Sequence, residues 1–322
     1  LERELIALCA VDILKGEDAA QYDGYVAAGG TEANIQAVWM YRNYFIREQG
    51  AQAAEIVLLC SEDAHYSMHK AANLLGLKLQ MVAVQKDSRQ ITPAAVKQAV
   101  QEAQSRGGTR FIVVANMMTT MFGSVDDPGT YEEALEQAGL PWVLHVDGAY
   151  GGFSYPFSKV PHKLDFSNPK VNSFTLDAHK MVQAPYGTGI FLVRKGWMKY
   201  VYTEEAQYVQ GLDATLSGSR SGANAVAVWM ILMTYGPHGW FEKIHILNYR
   251  TDWLCRQLEQ RAIPFFRQPG SNIVTIRSGA VPEAVARKFA LIPDSHHEPS
   301  WYKVVVMDHV TVDRLEELVA CL

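Results

Sequence analysis

The stretch SFTLDAHKM, residues 173–181, combines an alternating apolar run with a polar cluster that ends in a lysine. A Gly-Thr-Gly turn at 187–189 follows, and residues 190–193 have the composition of a strand. The pattern predicts a connection between two strands that holds Lys180 in a poorly solvated place. Burial disfavours a charged amine and makes it a better nucleophile, so Lys180 is a candidate for a Schiff base with a carbonyl cofactor. A lysine that simply reaches solvent at a strand end fits the same residues.

The stretch VLHVDGAYGG, residues 143–152, predicts a buried strand that ends at Asp147 and is followed by small residues. Open α/β sheets bind their ligands at the carboxyl ends of the strands. Enzymes that use pyridoxal phosphate need a carboxylate to keep the pyridine nitrogen protonated, so that the ring draws electrons from the substrate. The small Ala149 would let such a ring lie flat against the strand. The two stretches together indicate a pyridoxal phosphate site.

HVDGAYGG followed by SFTLDAHKM resembles the group II pyridoxal-phosphate-dependent amino-acid decarboxylases. These are relatives of the glutamate, aromatic amino-acid, tyrosine and histidine decarboxylases. The resemblance runs from about Gly24 to about Gly239. It implies the α/β fold of the aspartate aminotransferase type (fold type I), with a mostly parallel sheet in a large domain, 1–238, and a small α/β C-terminal domain, 239–322.

The segment Gly29-Gly30-Thr31 follows a short approach segment, Gly24 to Ala28, and opens a predicted helix that runs towards Glu48. Thr31 is the predicted N-cap. Free amides at a helix start bind phosphate, and glycine allows close approach. The resemblance implies that Gly30 and Thr31 hold the cofactor phosphate, although an ordinary glycine turn before a helix also fits.

The resemblance assigns His65 to stacking on the cofactor ring and to catalysis, on the side opposite Ala149. A histidine that caps the following helix is the alternative. Thr119 is expected near Asp147. The residues before it are methionines, where the family has a small, glycine-containing run, so we expect the local loop geometry to differ.

Asp177 and His179 are expected near the cofactor phosphate and the lysine. The resemblance also makes Tyr208, in a loop that is mobile in the family, the candidate donor of a proton to Cα; interface packing is the alternative. Ser219, in SGSRSG, is expected to contact the cofactor of a partner subunit. Arg220 either binds a substrate carboxylate or pairs with an acid.

The helix predicted after SGSRSG carries more apolar surface than a single buried stripe requires, which indicates that a partner covers it. With the fold that the chain resembles, this predicts a homodimer in which both chains build each active site. The apolar residues on which the prediction depends are Ala223, Val226, Ala227, Trp229, Met230, Leu232 and Met233.

The composition excludes some classes of partner and location. The chain has 322 residues and a formal net charge of −5, with no long basic run, so nucleic acid is not an expected partner. No apolar stretch is long enough to span a bilayer. The four cysteines are scattered without metal-ligand spacing, as in a cytoplasmic protein with reduced thiols. Family members usually carry a longer N-terminal segment, so we expect either that the chain is truncated or that its first residues are missing from the sequence.

These features predict an enzyme that decarboxylates an L-amino acid to the amine with pyridoxal phosphate. Lys180 would hold the cofactor and Asp147 would stabilise the pyridinium. Asp at position 177 occurs equally in the sphingosine phosphate lyases, so a carbon–carbon lyase is the nearest alternative. A catalytically inactive relative is a third reading, and the intact Lys180, Asp147 and His65 argue against it.

Overall fold

The protein is described by a computed structural model over residues 1–203 and 212–322. A seven-stranded sheet forms its larger unit. The strands are β1 (Tyr22–Ala27), β2 (Ile56–Ser61), β3 (Lys78–Val82), β4 (Arg110–Asn116), β5 (Trp142–Asp147), β6 (Val171–Asp177) and β7 (Gly189–Arg194). Their order across the sheet is β1-β7-β6-β5-β4-β2-β3.

The sheet is parallel through β3, β2, β4, β5 and β6, while β7 and β1 add an antiparallel edge. The helices that belong to it are α1 (Glu2–Leu8), α2 (Gly30–Gln49), α3 (Ser67–Leu75), α4 (Pro93–Ser105) and α5 (Pro128–Gln137). All six residues of β2 are buried, as expected for a parallel strand covered on both faces. Two separate clusters of buried apolar side chains form the cores on the two sides.

Two local predictions near the start of α2 are wrong. Residues predicted as an approach segment form β1, which pairs with β7 from Tyr22 to Ala27. A side chain at Gly24 would come within 2.2 Å of the Phe191 carbonyl oxygen, so the glycine permits this pairing instead of interrupting it. The N-cap of α2 is Gly29 instead of Thr31, and it has no side-chain cap.

A smaller unit follows the long helix α6 (Gly222–Gln260). It contains α7 (Glu283–Lys288), α8 (Val312–Ala320) and an antiparallel sheet of order β10-β11-β9-β8, with strands β8 (Phe265–Phe266), β9 (Ile273–Arg277), β10 (Ile292–Pro293) and β11 (Trp301–Val305). Leu254 and Leu258 of α6 lie in its apolar core. None of the helices in the described ranges has the length and apolarity that crossing a bilayer requires.

Helix α6 has a kink at Gly236, whose φ of 61° and ψ of 178° are not helical, and Pro237 follows it. Proline lacks the amide hydrogen and clashes with the preceding turn, so the helix changes direction there. The predicted break at 236–239 is therefore where the kink lies. The domain boundary at 238/239 stays a prediction, which the kink supports.

Candidate active site

The carboxyl ends of β5 and β6 meet the start of α2 around a cavity of about 490 Å³. Cavities of this size are typical of small-molecule sites. Seven of the predicted site residues line it: Gly30, Thr31, His65, Ala149, Asp177, His179 and Lys180. Asp147 and Thr119 line an adjoining recess that shares His65, Ala149 and Lys180. The structure thus brings together nine residues that are spread over 151 positions of the chain, from 30 to 180.

Lys180 lies three residues after the end of β6, in a turn where its amide donates to the Asp177 carbonyl at 3.1 Å. Its Nζ lies 3.2 Å from Asp177 Oδ2. The side chain of Lys180 is 30% exposed, so it is only partly shielded from solvent, whereas that of Asp177 is 4% exposed. An amine on the cavity wall that is held by one buried carboxylate is placed to react with a carbonyl in the cavity.

Asp177 has spare hydrogen-bonding capacity beside the cavity. Burial raises the pKa of its carboxyl above the ordinary value, and the charges of Lys180 and His179 act in the opposite direction. Its Oδ1 has no hydrogen-bond partner among the described residues, and neither has Nδ1 of His179, 3.5 Å away. Unpaired polar atoms at a cavity wall are available to a ligand.

Asp147 is the last residue of β5 and is 92% buried. Its Oδ2 accepts a hydrogen bond from Asn34 Nδ2 at 2.8 Å, and its Oδ1 accepts one from the amide of Ala149 at 3.1 Å. Two hydrogen bonds from the protein fix the orientation of this buried carboxylate.

His65 is held by Ser67 at the start of α3. Its Nδ1 lies 2.9 Å from Ser67 Oγ and accepts the Ser67 amide at 3.3 Å, which leaves Nε2 free. Burial lowers the pKa of His65, and the charge of Asp147 opposes this. The imidazole is therefore neutral at physiological pH, and it lines the cavity together with Ala149.

The start of α2 approaches the site closely because of its glycines. A Cβ on Gly30 would lie 2.8 Å from Asp177 Oδ2 and 3.0 Å from the Cβ of Ala149. A Cβ on Gly189 would lie 2.4 Å from the carbonyl carbon of Gly29. The first amides of this 20-residue helix are thereby brought to the cavity wall, where they suit an anion.

Thr119 lies at the recess with its Oγ1 2.7 Å from Ser124 Oγ. The methionines before it are buried, and Met118 has a φ of 69°, which is rare for a residue with a side chain. The backbone therefore turns at this run, while the difference in loop geometry from the family stays a prediction.

Two predicted residues do not reach this cavity. Ser219 is exposed outside it. Arg220 pairs with Glu2 and donates to the Val26 carbonyl at 3.1 Å, which is the ion-pair alternative of the sequence analysis. Tyr208 lies outside the described residues.

Sequence reasoning missed two residues at the site. Asn34 lies one turn after Gly30 on the same face of α2, and this i, i+4 spacing was the available signal. Lys303 of β11 donates to the Thr120 carbonyl at 2.9 Å, and burial and then the charge of Lys180 lower its pKa. No motif marks Lys303, because only the packing of the smaller unit brings it near.

The arrangement fits pyridoxal phosphate. It offers a buried carboxylate, an amine, an imidazole, a small side chain and a helix start, around one cavity and its adjoining recess. A lysine amine and a charged partner for the ring nitrogen are the groups that this cofactor requires.

Comparison with known proteins agrees with this chemistry. Residues 3–264 match the pyridoxal-dependent decarboxylase conserved domain. A tryptophan decarboxylase of Clostridium sporogenes is 51% identical over 320 residues, covering 99% of this chain and 76% of the relative. An L-aspartate decarboxylase of Thermococcus kodakarensis is 33% identical, covering 91% of this chain and 75% of the relative.

Solved structures share the fold. A sphingosine-1-phosphate lyase of Burkholderia pseudomallei superposes with a TM-score of 0.82 at 23% identity, over 99% of this chain and 75% of that one. An L-methionine decarboxylase of Streptomyces sp. 590 gives 0.82 at 22%, over 99% and 82%. These likenesses confirm the predicted fold. The match over residues 3–264, with the 51% identity, shows that the chain belongs to the pyridoxal-dependent decarboxylase family, enzymes that release carbon dioxide from amino acids.

Proposed function

We propose that the protein decarboxylates an aromatic L-amino acid, with tryptophan as its preferred substrate. The main support for this substrate is that the chain is 51% identical to a tryptophan decarboxylase over 99% of its length. Its identity to an L-aspartate decarboxylase is 33%.

The lining of the cavity supports an aromatic substrate. Ile35, Tyr66 and Leu216 give it apolar walls. Among the described residues of the lining there is no arginine, and Lys180 is the one lysine. An acidic side chain would require a further cation in the same space, because an unpaired carboxylate is costly to desolvate.

We assign the cofactor contacts as follows. Asp147 would pair with the ring nitrogen, His65 and Ala149 would flank the ring, and Lys180 would bind the carbonyl carbon. The start of α2 would hold the phosphate, with Gly30, Thr31 and His179, while Thr119 would lie beside the ring. When bound, pyridoxal phosphate supplies the electron sink for the electron pair left by departing carbon dioxide.

Each of these side chains has a separate proposed role in the reaction. Asp177 holds the amine of Lys180 at the cavity wall, 3.2 Å away. His65, neutral and with Nε2 free, is able to donate a hydrogen bond to the substrate carboxylate. A proton must replace the departing carbon dioxide at Cα, and we propose that a side chain donates it. We assign this donor role to Tyr208.

We further propose that the working unit is a homodimer with shared active sites. Val228 and Leu232 face the core, whereas Val226, Met230 and Met233, at i, i+4 and i+7, are 42%, 56% and 50% exposed. An apolar stripe on a helix face indicates a protein partner, and a second copy is the occupant that also explains Ser219. Ser219 lies just before this helix and outside the cavity of its own chain, so it is available to the partner.

The cytoplasm is the compartment that we propose. All four cysteines are free thiols, and three of them are buried, as in proteins of reducing compartments. A functional fusion to a fluorescent protein that is found outside the cytoplasm would contradict this.

The test of the substrate is a panel of L-amino acids scored for carbon dioxide release and for the amine product. We expect tryptamine from tryptophan, with kcat/KM at least tenfold above that for aspartate or glutamate, which corresponds to about 1.4 kcal/mol. The Lys180→Ala variant is the control for background release. A preference for an acidic substrate would overturn the proposal, and an aldehyde product would favour a carbon–carbon lyase.

A further inference from the structure

A buried chain of hydrogen bonds runs behind Asp147 and away from the cavity. Tyr41 OH lies 2.6 Å from Ser173 Oγ, which lies 2.7 Å from His145 Nδ1. His145 Nε2 lies 3.0 Å from Asn34 Oδ1, and Asn34 Nδ2 lies 2.8 Å from Asp147 Oδ2. His145, Tyr41 and Ser173 are fully buried, and Asn34 is 1% exposed. Helix α2 and strands β5 and β6 contribute these residues.

The chemistry of the groups sets the direction of this chain. An ionised carboxylate only accepts, so the amide of Asn34 turns its Nδ2 towards Asp147 and its Oδ1 towards His145. Oδ1 also only accepts, which requires the hydrogen of His145 to be on Nε2. Nδ1 then accepts from the hydroxyl of Ser173, which in turn accepts from Tyr41. Each donor therefore points towards Asp147.

The same amide also reaches His65. Asn34 Nδ2 has a second hydrogen, and Ser67 Oγ lies 3.0 Å from it. Ser67 Oγ lies in turn 2.9 Å from His65 Nδ1. Because Ser67 accepts from Asn34, its own hydroxyl hydrogen is free to be donated to His65, which leaves the hydrogen of that imidazole on Nε2. One amide thus connects the proposed partner of the ring nitrogen with the proposed stacking imidazole.

We infer that Asn34 is a positioning residue that orients Asp147 and His65 together, and that His145, as its neutral Nε2–H tautomer, fixes which way this amide faces. Asp147 requires Nδ2 at one end of the amide and the Nε2–H of His145 requires Oδ1 at the other, so loss of His145 leaves the amide oriented from one end only. The inference rests on the cofactor contacts proposed above. It does not depend on which amino acid is the substrate.

Bonds that polarise one another along such a chain strengthen the last one, at the carboxylate. The chain achieves this without a second buried charge, since burial holds the pKa of His145 at about 4. A charged partner at this place would offset the carboxylate that the cofactor nitrogen requires.

The first test is the tautomeric state of the histidines in the cofactor-free protein, by 15N NMR of histidine-labelled chain. We expect both His145 and His65 as neutral Nε2–H tautomers at pH 7.5. His145 as the Nδ1–H tautomer, or protonated at this pH, would overturn the inference without any variant having to fold.

The second test is a double-mutant cycle read through the dissociation constant and visible absorbance of bound pyridoxal phosphate. We expect Asn34→Leu and His145→Phe each to weaken binding about tenfold or more, and the double variant to be no weaker than Asn34→Leu, because residues in one network do not add. Thr251→Val, which loses a buried hydroxyl bond to Leu247 in α6, is the control for general destabilisation and should bind normally.

Additive losses, or normal binding and absorbance by His145→Phe, would refute the coupling. If instead tryptophan is not decarboxylated while both tests come out as stated, the proposed substrate fails and the positioning role stands.

Discussion

Asp147 is the proposed partner of the ring nitrogen of the cofactor, and this contact makes the ring an effective electron sink. We predict that Asp147→Ala still binds pyridoxal phosphate through Lys180 but lowers kcat by about 100-fold or more, some 2.7 kcal/mol, because a neutral ring is a weak electron sink. Asp147→Glu should restore part of the activity. Near-normal kcat of Asp147→Ala at saturating cofactor would show that another group holds the ring nitrogen.

His145 gives a prediction about stability and pH. Burial lowers its pKa from 6.5 to about 4, so between these values the folded state binds fewer protons than the unfolded state. Its contribution to the free energy of unfolding is therefore complete above pH 6.5 and is lost as the pH falls through about 4, a change of about 3 kcal/mol. The stability difference between wild type and His145→Gln should be about 2 kcal/mol larger at pH 7.5 than at pH 4.5.

Urea unfolding of the cofactor-free protein measures this difference. His69, which is exposed on α3, provides the matched control variant His69→Gln. A difference between wild type and His145→Gln that does not change with pH would mean that His145 is accessible to protons in the folded state.

At the scale of elements, the packing of α2 against the strand ends depends on Gly30. We predict that Gly30→Ala weakens binding of pyridoxal phosphate about tenfold or more, about 1.4 kcal/mol, because its Cβ would lie 2.8 Å from Asp177 Oδ2. Gly222→Ala is the matched control, since a Cβ there meets nothing within 4 Å. Equal dissociation constants for the two variants would place the phosphate elsewhere.

The elements around the site were predictable because their signals are local. Strands β5 and β6 are apolar runs that end in Asp147 and Asp177, and parallel strands bring such ends to one edge of a sheet. β1 was missed because Gly24 is a poor strand former, and only its close approach to β7 explains it. The bond from Asn34 to Asp147 joins residues 113 positions apart, and no local pattern specifies such a pair.

At the scale of the whole molecule, the exposed stripe of α6 predicts the oligomeric state. We expect the wild type to be a dimer by light scattering and Met230→Glu to shift it towards the monomer, because a buried carboxylate without a partner is costly. Leu74→Glu is the control, since Leu74 of α3 is 68% exposed and lies away from α6. A Met230→Glu chain that remains fully dimeric would place the interface on another face.

Shared active sites make a sharper prediction. Mixing Lys180→Ala chains with chains altered at Ser219 should restore part of the activity, since one site of each mixed dimer is then intact. If the mixed dimers regain no activity, Ser219 contributes to the active site of its own chain.

The fold of the molecule could be predicted from the sequence because the family motifs occur in order along the chain, whereas the position of the smaller unit could not. Lys303 comes within the influence of Lys180 only because β11 packs near the turn that follows β4. Contacts of this kind depend on how two cores meet, which composition and periodicity do not encode.

The most direct test of the account is to find the lysine that binds the cofactor. Borohydride reduction of the loaded protein, followed by peptide mapping, should place the pyridoxyl group on Lys180, and Lys180→Ala should carry none. Lys303 is another amine near the site and has its pKa lowered by burial, so it is a competitor for the cofactor. A pyridoxyl group on Lys303, or on any lysine other than Lys180, would contradict the central claim.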